Sequence, residues 1–274
     1  MTKWLKRLIL YPILLFSFIV GVFLFLNKDL FFTLKGYYGS QIQWFGYDTK
    51  GSEIVEESLS KISNPSAELY RSYSVQNTKN GNYDEAIKYL SIAAKKDPLN
   101  ADGYFGWCLL YYYRDYKKAL FHLNRLDTTT NFVDYVGDDN ILYAKGLCYK
   151  GLKNYNEAFE LFKEAIEYER REHSESWITH QMLFQTGRVL HLMKRPREAI
   201  EYYDKALLNW DGSSESLYYK GLAELELGKE SGCSNLKEAL RKVKQGIKST
   251  DSYVKLFDEV YTPQIEKTIK LKCK

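Results

Sequence analysis

Histidine residues are the first candidates for metal-dependent or acid–base chemistry in this chain. Its four histidines are His122, His173, His180 and His191. His173 and His180 are seven residues apart and could share one face of a helix, but neither a cysteine nor a carboxylate completes a compact set of metal ligands around them. The sequence therefore predicts structural or surface roles for the histidines and no metal site.

The four cysteines, Cys108, Cys148, Cys233 and Cys273, could serve redox chemistry, zinc binding or disulfide formation. None of them forms a Cys-x-x-Cys pair, which argues against zinc-binding and thioredoxin-like sites. Cys108 and Cys233 take positions where Gly, Ser or Ala recurs elsewhere in the chain, as expected of small buried residues. If the chain is exported, a Cys233–Cys273 disulfide is one option for fastening the C-terminus, and a Cys108–Cys148 disulfide is another.

The remaining patterns also argue against catalysis. The sequence has no Gly-rich phosphate loop, no nucleophile elbow and no paired-carboxylate motif. The charge run between Glu167 and Glu172 is typical of a solvated helix surface. A net charge of +4 comes without a clustered basic patch, so nucleic-acid binding is not expected. We therefore predict a protein that is not an enzyme and that has neither a cofactor nor a small-molecule substrate.

The elements that would position any site repeat one pattern between Ala67 and Gly246. A small residue is followed twelve positions later by Ala, and this Ala is followed by a large residue at +4 and a small or apolar residue at +7. The two clearest copies are Gly146, Ala158, Phe162, Ala165 and Gly187, Ala199, Tyr203, Ala206. Gly187 and the leading glycine of the next copy, Gly221, are 34 residues apart. This period indicates units of two amphipathic helices.

The pattern resembles the tetratricopeptide repeat (TPR). In the first of five copies, Gly81 and Pro98 match the turn glycine and closing proline of that family, and Trp107 takes its tryptophan position in the second. The resemblance implies an all-α solenoid of about five helix pairs over residues 66–246, in which each repeat packs on its neighbours. Small residues are expected where the helices of a pair cross, since a leucine there would cost about 1–3 kcal/mol through overpacking.

Two spacings between repeats are longer than the period. Ala119 and Ala158 are 39 residues apart, and Ala158 and Ala199 are 41 residues apart. The surplus residues fall at about Thr128–Asp139 and Tyr168–Trp177. We expect them either to lengthen helices or to form contact loops.

The N-terminus differs in composition from the repeats. Lys3, Lys6 and Arg7 precede an uncharged run of 19 residues, 8–26, which is long enough to cross a hydrocarbon core of about 30 Å. The run is longer than a secretory signal and lacks a small-residue cleavage site, so it predicts an uncleaved transmembrane signal anchor. The basic flank favours residues 1–7 in the cytoplasm and the repeats outside it, in the periplasm of a Gram-negative cell.

Two further segments flank the repeats. Residues 27–65 carry four glycines and several aromatic residues, with a short helix predicted at Ser52–Ile62. They are interpreted either as a juxtamembrane segment or as an N-terminal cap that packs on the first repeat. Residues 247–274 are predicted to form a C-terminal capping helix, running from Asp251 to Lys272, that covers the last apolar surface of the array.

The resemblance also implies a binding site. In this family the first helix of each repeat lines a concave groove that holds an extended peptide or a helix, and positions 2, 5, 9 and 12 of each repeat usually face it. The candidate groove residues are Arg71, Phe105, Leu109, Tyr112, Tyr143, Leu147, Phe184, Arg188 and Tyr218. The alternative is that the aromatic residues among them pack against the neighbouring repeat. A carboxylate clamp of the chaperone-binding type is not expected, because Arg71 and Val75 replace its lysine and asparagine.

Together these features predict a membrane-anchored scaffold or adaptor that binds protein partners and serves a bacterial cell-envelope complex. The one triplet that begins an N-glycosylation motif, at Asn64, is blocked by Pro65, which also favours a bacterial envelope. The alternatives are a soluble secreted binding module that signal cleavage releases, and a regulatory subunit of an enzyme complex.

Overall fold

The computed structural model describes residues 16–23, 26–45, 48–130, 132–251 and 253–273. Most of these residues are helical, and the strands found among them form one short antiparallel hairpin. The predicted all-α fold is therefore confirmed. The helices belong to two compact units that divide after Ala101.

The predicted membrane-spanning run lies partly outside this description, because residues 1–15, 24 and 25 are not among the described residues. The predicted cytoplasmic N-terminus, residues 1–7, lies outside it entirely. Within the described ranges, no single helix has both the length and the apolar character needed to cross a membrane. The helices Phe16–Phe23 and Lys28–Gln43, which are bent by 105° relative to each other, meet this requirement only as a pair.

Besides the helix Phe16–Phe23, the described part of the first unit contains two helices before the repeats and the helix pair of the first repeat. These are α1 Lys28–Trp44, α2 Asp48–Lys61, α3 Ala67–Lys79 and α4 Tyr83–Lys96. Helices α1 and α2 cross so closely that a Cβ added to Gly51 would lie 2.6 Å from the carbonyl oxygen of Gly39. A Cβ added to Gly36 of α1 would lie 3.0 Å from Leu69 of α3. The segment before the repeats therefore packs on the first repeat, as the cap interpretation expects.

The second unit contains the later repeats and the C-terminus. Its elements are α5 Pro98–Tyr111, which begins in the first unit, α6 Tyr116–Asp127, β1 Tyr135–Val136, β2 Asp139–Asn140, α7 Ile141–Gly151, α8 Tyr155–Glu172, α9 His180–Leu192, α10 Pro196–Asn209, α11 Ser214–Glu226, α12 Ser231–Lys244 and α13 Thr262–Lys272. The side chains of Asn140, Thr179 and Ser213 accept hydrogen bonds from the first turns of α7, α9 and α11. These caps satisfy amide groups that have no partner within the helix.

Each helix pair crosses at the small residues that the repeat pattern predicts. A Cβ added to Gly146 of α7 would lie 2.5 Å from the ring of Phe162 on α8. At the equivalent crossing of α9 and α10, a Cβ added to Gly187 would lie 2.8 Å from the ring of Tyr203. Phe162 and Tyr203 are fully buried. In these two repeats the small residue therefore makes room for the aromatic residue that fills the core.

The two stretches of surplus residues fold differently. The first leads into the β1–β2 hairpin, in which Tyr135 is paired with Asn140. The second extends α8 to Glu172 and is followed by a 3₁₀ turn at Glu175–Trp177. One insertion therefore adds a hairpin and the other lengthens a helix.

The predicted C-terminal capping helix is wrong in its first half. Helix α13 begins at Thr262, and residues 247–251 and 253–261 form turns and irregular backbone instead. Asp251 accepts hydrogen bonds from the amides of Tyr253 and Val254, which favours a local turn over a helix. Pro263, which is tolerated in the first turn of a helix but not in its interior, marks the start of α13.

One of the two disulfide options is formed. Cys233 of α12 is bonded to Cys273, directly after α13, with the Cα atoms 5.6 Å apart. Cys108 and Cys148 are buried and are not joined to each other. Burial raises the pKa of the Cys148 thiol to about 12, so this thiol stays protonated and unreactive at neutral pH.

We predict that Gly146→Leu destabilises the second unit. The leucine side chain would occupy the space of the Phe162 ring, so the free energy of unfolding should fall by about 2 kcal/mol. Glu164→Leu, on the exposed surface of α8, is the matched control and should change it by less than about 0.5 kcal/mol. Urea denaturation followed by circular dichroism measures both, and equal stability of the two variants would contradict the helix crossing.

Candidate functional site

Most of the predicted groove residues lie in the core. Phe184 and Leu147 are fully buried, and Leu109, Phe105, Tyr143 and Tyr218 are between 1% and 5% exposed. Arg71 on α3, Tyr112 after α5 and Arg188 on α9 are half-buried.

Aromatic packing explains the burial of these side chains. The ring of Tyr143 lies 5.4 Å from that of Phe162 on the second helix of the same repeat. The ring of Phe184 lies 6.1 Å from that of Tyr203 in its own repeat and 5.9 Å from that of Tyr219 in the next one. The aromatic residues therefore join helices within and between repeats, as the packing alternative expects. Substituting them with alanine would consequently change the stability of the fold and would not isolate an effect on partner binding.

The C-terminal strap, defined as residues 247–251 and 253–261, crosses the helices that carry these positions. We call the surface formed by α5, α7, α9 and α11 on the side of the strap the inner face. The backbone amide of Ser249 donates to Glu215 of α11 at 3.3 Å. The guanidinium of Arg114 donates a hydrogen bond to the carbonyl oxygen of Lys255. The side-chain amide of Gln185 on α9 donates a hydrogen bond to the carbonyl oxygen of Phe257 at 3.2 Å. Side chains of the array thus hold the backbone of the strap.

Phe257 is the aromatic anchor of the strap. Its ring centre lies 5.5 Å from that of Tyr111 and 6.5 Å from that of Tyr116. The guanidinium carbon of Arg114 lies 3.8 Å from the Phe257 ring centre, and the Lys150 ammonium lies 5.1 Å from it. The ring is therefore surrounded by two aromatic side chains and two cations, an arrangement that favours cation–π attraction.

Asp258 is the charged anchor of the strap. Its carboxylate forms ion pairs with Lys150 of α7 and, at 3.2 Å, with Arg188 of α9. Burial alone would raise the pKa of Asp258, but the positive charges of Lys150 and Arg188 outweigh it and hold this pKa well below its usual range. The guanidinium of Arg188 also stacks on Tyr219, 3.6 Å from the ring centre. Asp258 therefore joins the strap to two successive repeats.

Lys150 is absent from the groove residues that were predicted from the sequence, although its position in the repeat could have identified it. Lys150 occupies position 12 of the third repeat, the position that Tyr112 holds in the second. Extending the rule for position 12 to every repeat would have included it. Gln185 takes position 6, outside the rule, and nothing in the repeat pattern singles it out.

A second polar cluster joins the two insertions. The carboxylate of Glu169, which is 2% exposed, accepts hydrogen bonds from the hydroxyl of Tyr135 and the amide of Asn140, both at 2.8 Å. The ring of His173 stacks on Trp177 with the ring centres 4.2 Å apart, and the Trp177 side chain is 53% exposed. This aromatic ledge, formed by Tyr135, His173 and Trp177, is a second exposed surface on the second unit.

The remaining histidines have local partners. His122 pairs with the buried carboxylate of Asp102 at 2.8 Å, and burial lowers its pKa despite that pair. His180 begins α9, whereas His173 follows α8, so these two residues do not share a helix face. Within the described part of the chain, no group of three or more His, Cys, Asp or Glu side chains is arranged to hold a metal ion.

Comparisons with known proteins agree with the repeat register. Sequence profiles of the tetratricopeptide repeat match residues 138–207 and residues 79–107, which together make up less than half of the chain. No characterised protein sequence gives a match.

Solved structures with a similar fold include three bacterial proteins. A fragment of MamA from Desulfovibrio magneticus RS-1 has a TM-score of 0.55 and 17% identity over 65% of this chain and 96% of its own. PilW, a type IV pilus biogenesis factor, has a TM-score of 0.59 and 13% identity over 78% of this chain and 92% of its own. A tetratricopeptide repeat protein from Parabacteroides merdae has a TM-score of 0.56 and 13% identity over 89% of this chain and 84% of its own. At these identities the similarity shows the fold alone.

The ion pairs of Asp258 predict a pH-dependent stability. Because the pKa of Asp258 is lower in the folded chain than its unfolded value of about 3.9, its contribution is present above that pH and is lost as the pH falls below it. Asp258→Asn should lower the free energy of unfolding by about 3 kcal/mol at pH 7, because it leaves two buried cations without a counter-charge. The loss should shrink at pH 3.

Urea denaturation of the wild type and the variant at both pH values measures this difference. Asp84→Asn, on the exposed surface of α4, is the control and should leave the stability unchanged to within about 0.5 kcal/mol. A penalty for Asp258→Asn that grows as the pH falls would contradict the proposed ion pairs.

Proposed function

The chain is a tetratricopeptide-repeat protein, and we propose that it is a non-enzymatic adaptor whose inner face binds a non-helical segment of a protein partner. Residues 8–26 anchor it in a membrane, with residues 1–7 in the cytoplasm and the repeats outside it. The partner belongs to a complex that is assembled or maintained in a bacterial cell envelope. The fold supports the protein-interaction role, and the basic flank of an apolar run supports the anchor.

One observation carries the binding mode: the inner face already holds a non-helical segment of polypeptide, with a turn at Phe257 and Asp258. Arg114 and Gln185 donate to carbonyl oxygens of the strap that are two residues apart, and Lys150 and Arg188 bind its carboxylate. Contacts of this kind hold a backbone in place while leaving side-chain pockets to select a sequence. The surface therefore has the chemistry of a peptide-binding site.

The polar groups of the second unit support a binding role over a catalytic one. Lys150 and Arg188 are neutralised by Asp258, and Asp102 is neutralised by Arg125 and hydrogen-bonded to His122. Charges that are paired in this way stabilise a structure and are not poised for proton transfer to a substrate.

The envelope role is supported by the kind of proteins that share the fold. PilW is a type IV pilus biogenesis factor, and its structure overlaps with 78% of this chain. An adaptor with an N-terminal anchor and an exported repeat array would be placed to assist the assembly of such an envelope complex.

Site-specific photo-crosslinking in native membranes tests this function. A photoreactive phenylalanine analogue replaces Tyr219 on the inner face, Tyr202 on α10 as a matched control, or Trp177 on the aromatic ledge. We expect a protein partner to be crosslinked at Tyr219 and not at Tyr202, because only Tyr219 belongs to the inner face. Mass spectrometry of the crosslinked product identifies the partner.

The same preparation tests the alternatives. Crosslinking only at Trp177 or Tyr202 would contradict the inner face as the binding site. Recovery of the full-length chain in carbonate-washed membranes is expected for an anchored protein. Release of the chain into the soluble fraction would contradict the anchor and would favour a secreted binding module.

A further inference from the structure

The strap reaches further than capping the array requires. Helix α13 packs on α12, and Val260 and Ile265 are buried against Leu217 and Tyr218 of the last repeat. These contacts cover the apolar end of the solenoid. The strap nevertheless extends to Arg114, in the turn between the two helices of the second repeat. Arg114 and Lys255 are 141 residues apart along the chain.

The part of the inner face that the strap reaches is cationic, and the array leaves its charges unpaired. Lys150 and Arg188 are 7% and 11% exposed in their side chains, and among the described residues Asp258 is the one carboxylate that forms an ion pair with either of them. One nitrogen of Arg114, Nη1, is buried without a hydrogen-bond partner in the described structure. The inner face therefore requires an acidic occupant, and the strap supplies one.

We propose that the strap is an internal ligand, and that the partner segment carries an aromatic residue followed directly by an acidic residue, which take the places of Phe257 and Asp258. This inference rests on the proposed function and specifies the partner. The aromatic ring enters the pocket formed by Tyr111, Tyr116 and Arg114. The carboxylate pairs with Lys150 and Arg188.

The positive charges of Lys150 and Arg188 are the reason why the partner residue must be acidic. A neutral side chain that displaced Asp258 would leave two buried cations without a counter-charge, which is strongly unfavourable. A carboxylate from the partner replaces one buried ion pair with another, so the exchange is close to balanced. The Arg114 and Gln185 side chains bind backbone carbonyl groups, which every peptide offers, and therefore add affinity without sequence preference.

The attachment of the strap allows this exchange. Among the residues that the structure describes, no backbone-to-backbone hydrogen bond joins residues 254–260 to a helix of the inner face. Both ends of the strap stay fixed, one by α12 and the other by α13, whose C-terminus is held by the Cys233–Cys273 disulfide. The Phe257–Asp258 tip can therefore leave the inner face while the helices remain folded. A partner can bind only those chains in which the strap tip has left the inner face. The apparent affinity for the partner is therefore the intrinsic affinity multiplied by the fraction of such chains.

A fluorescently labelled peptide with the sequence of residues 248–261 tests the proposal in fluorescence anisotropy. The full-length chain in detergent, with its disulfide intact, is compared with the Phe257→Ala, Asp258→Ala double variant, whose strap no longer fills the inner face. The control peptide carries Phe257→Ala and Asp258→Asn. We expect the peptide to bind the double variant at least about tenfold more tightly than the wild type, and the control peptide to bind neither.

Three outcomes would overturn the proposal: no binding to a double variant that circular dichroism shows to be folded, equal affinity for both proteins, or equal binding of the control peptide. If the double variant does not fold, Phe257→Ala alone, which keeps both ion pairs, takes its place, and it must bind the peptide more tightly than the wild type does.

The peptide-binding experiment and the crosslinking experiment distinguish a failure of this proposal from a failure of the proposed function. A partner crosslinked at Tyr219 together with no peptide binding would overturn only the aromatic–acidic motif. Peptide binding by the double variant without any partner crosslinked at Tyr219 would instead overturn the adaptor function and leave the internal ligand in place.

Discussion

The close crossing of two helices in each repeat is the constraint on which the array depends. A glycine on the first helix lies against an aromatic ring of the second, as Gly146 does with Phe162 and Gly187 with Tyr203. Because these two rings fill the centres of the third and fourth repeats, the first helices of these two repeats stand at a defined spacing. That spacing brings position 12 of the third repeat and position 9 of the fourth, Lys150 and Arg188, to one carboxylate.

The same packing separates structural from binding residues on the first helices. Aromatic residues at position 5 of the repeats pack against neighbouring helices, and Phe184 is fully buried for this reason. The inner face also carries cationic and amide side chains that contact the strap, namely Arg114, Lys150, Gln185 and Arg188. They hold the strap by its carbonyl groups, by the ring of Phe257 and by the carboxylate of Asp258. In the proposed binding mode, these cations select an acidic residue of the partner.

The sequence predicts the repeated architecture well, because the Gly–Ala spacing of each repeat reports a local crossing. It predicts the site poorly, because the position rule does not tell whether an aromatic residue such as Tyr143 points toward a neighbour or a ligand. The strap was beyond prediction for a different reason. Residues 251–260 have helix-like apolar spacing, and tertiary contacts of Phe257 and Asp258 override that local preference.

Carbodiimide crosslinking of the full-length, disulfide-bonded protein tests most directly whether the strap occupies the inner face. The reagent joins a carboxylate to an amine when the two form an ion pair. The account predicts a covalent link between Lys150 and Asp258, detected by mass spectrometry of the digested protein. The exposed ion pair of Lys35 and Glu57, at 2.6 Å, is the positive control. A link at the control pair without one between Lys150 and Asp258 would contradict the account.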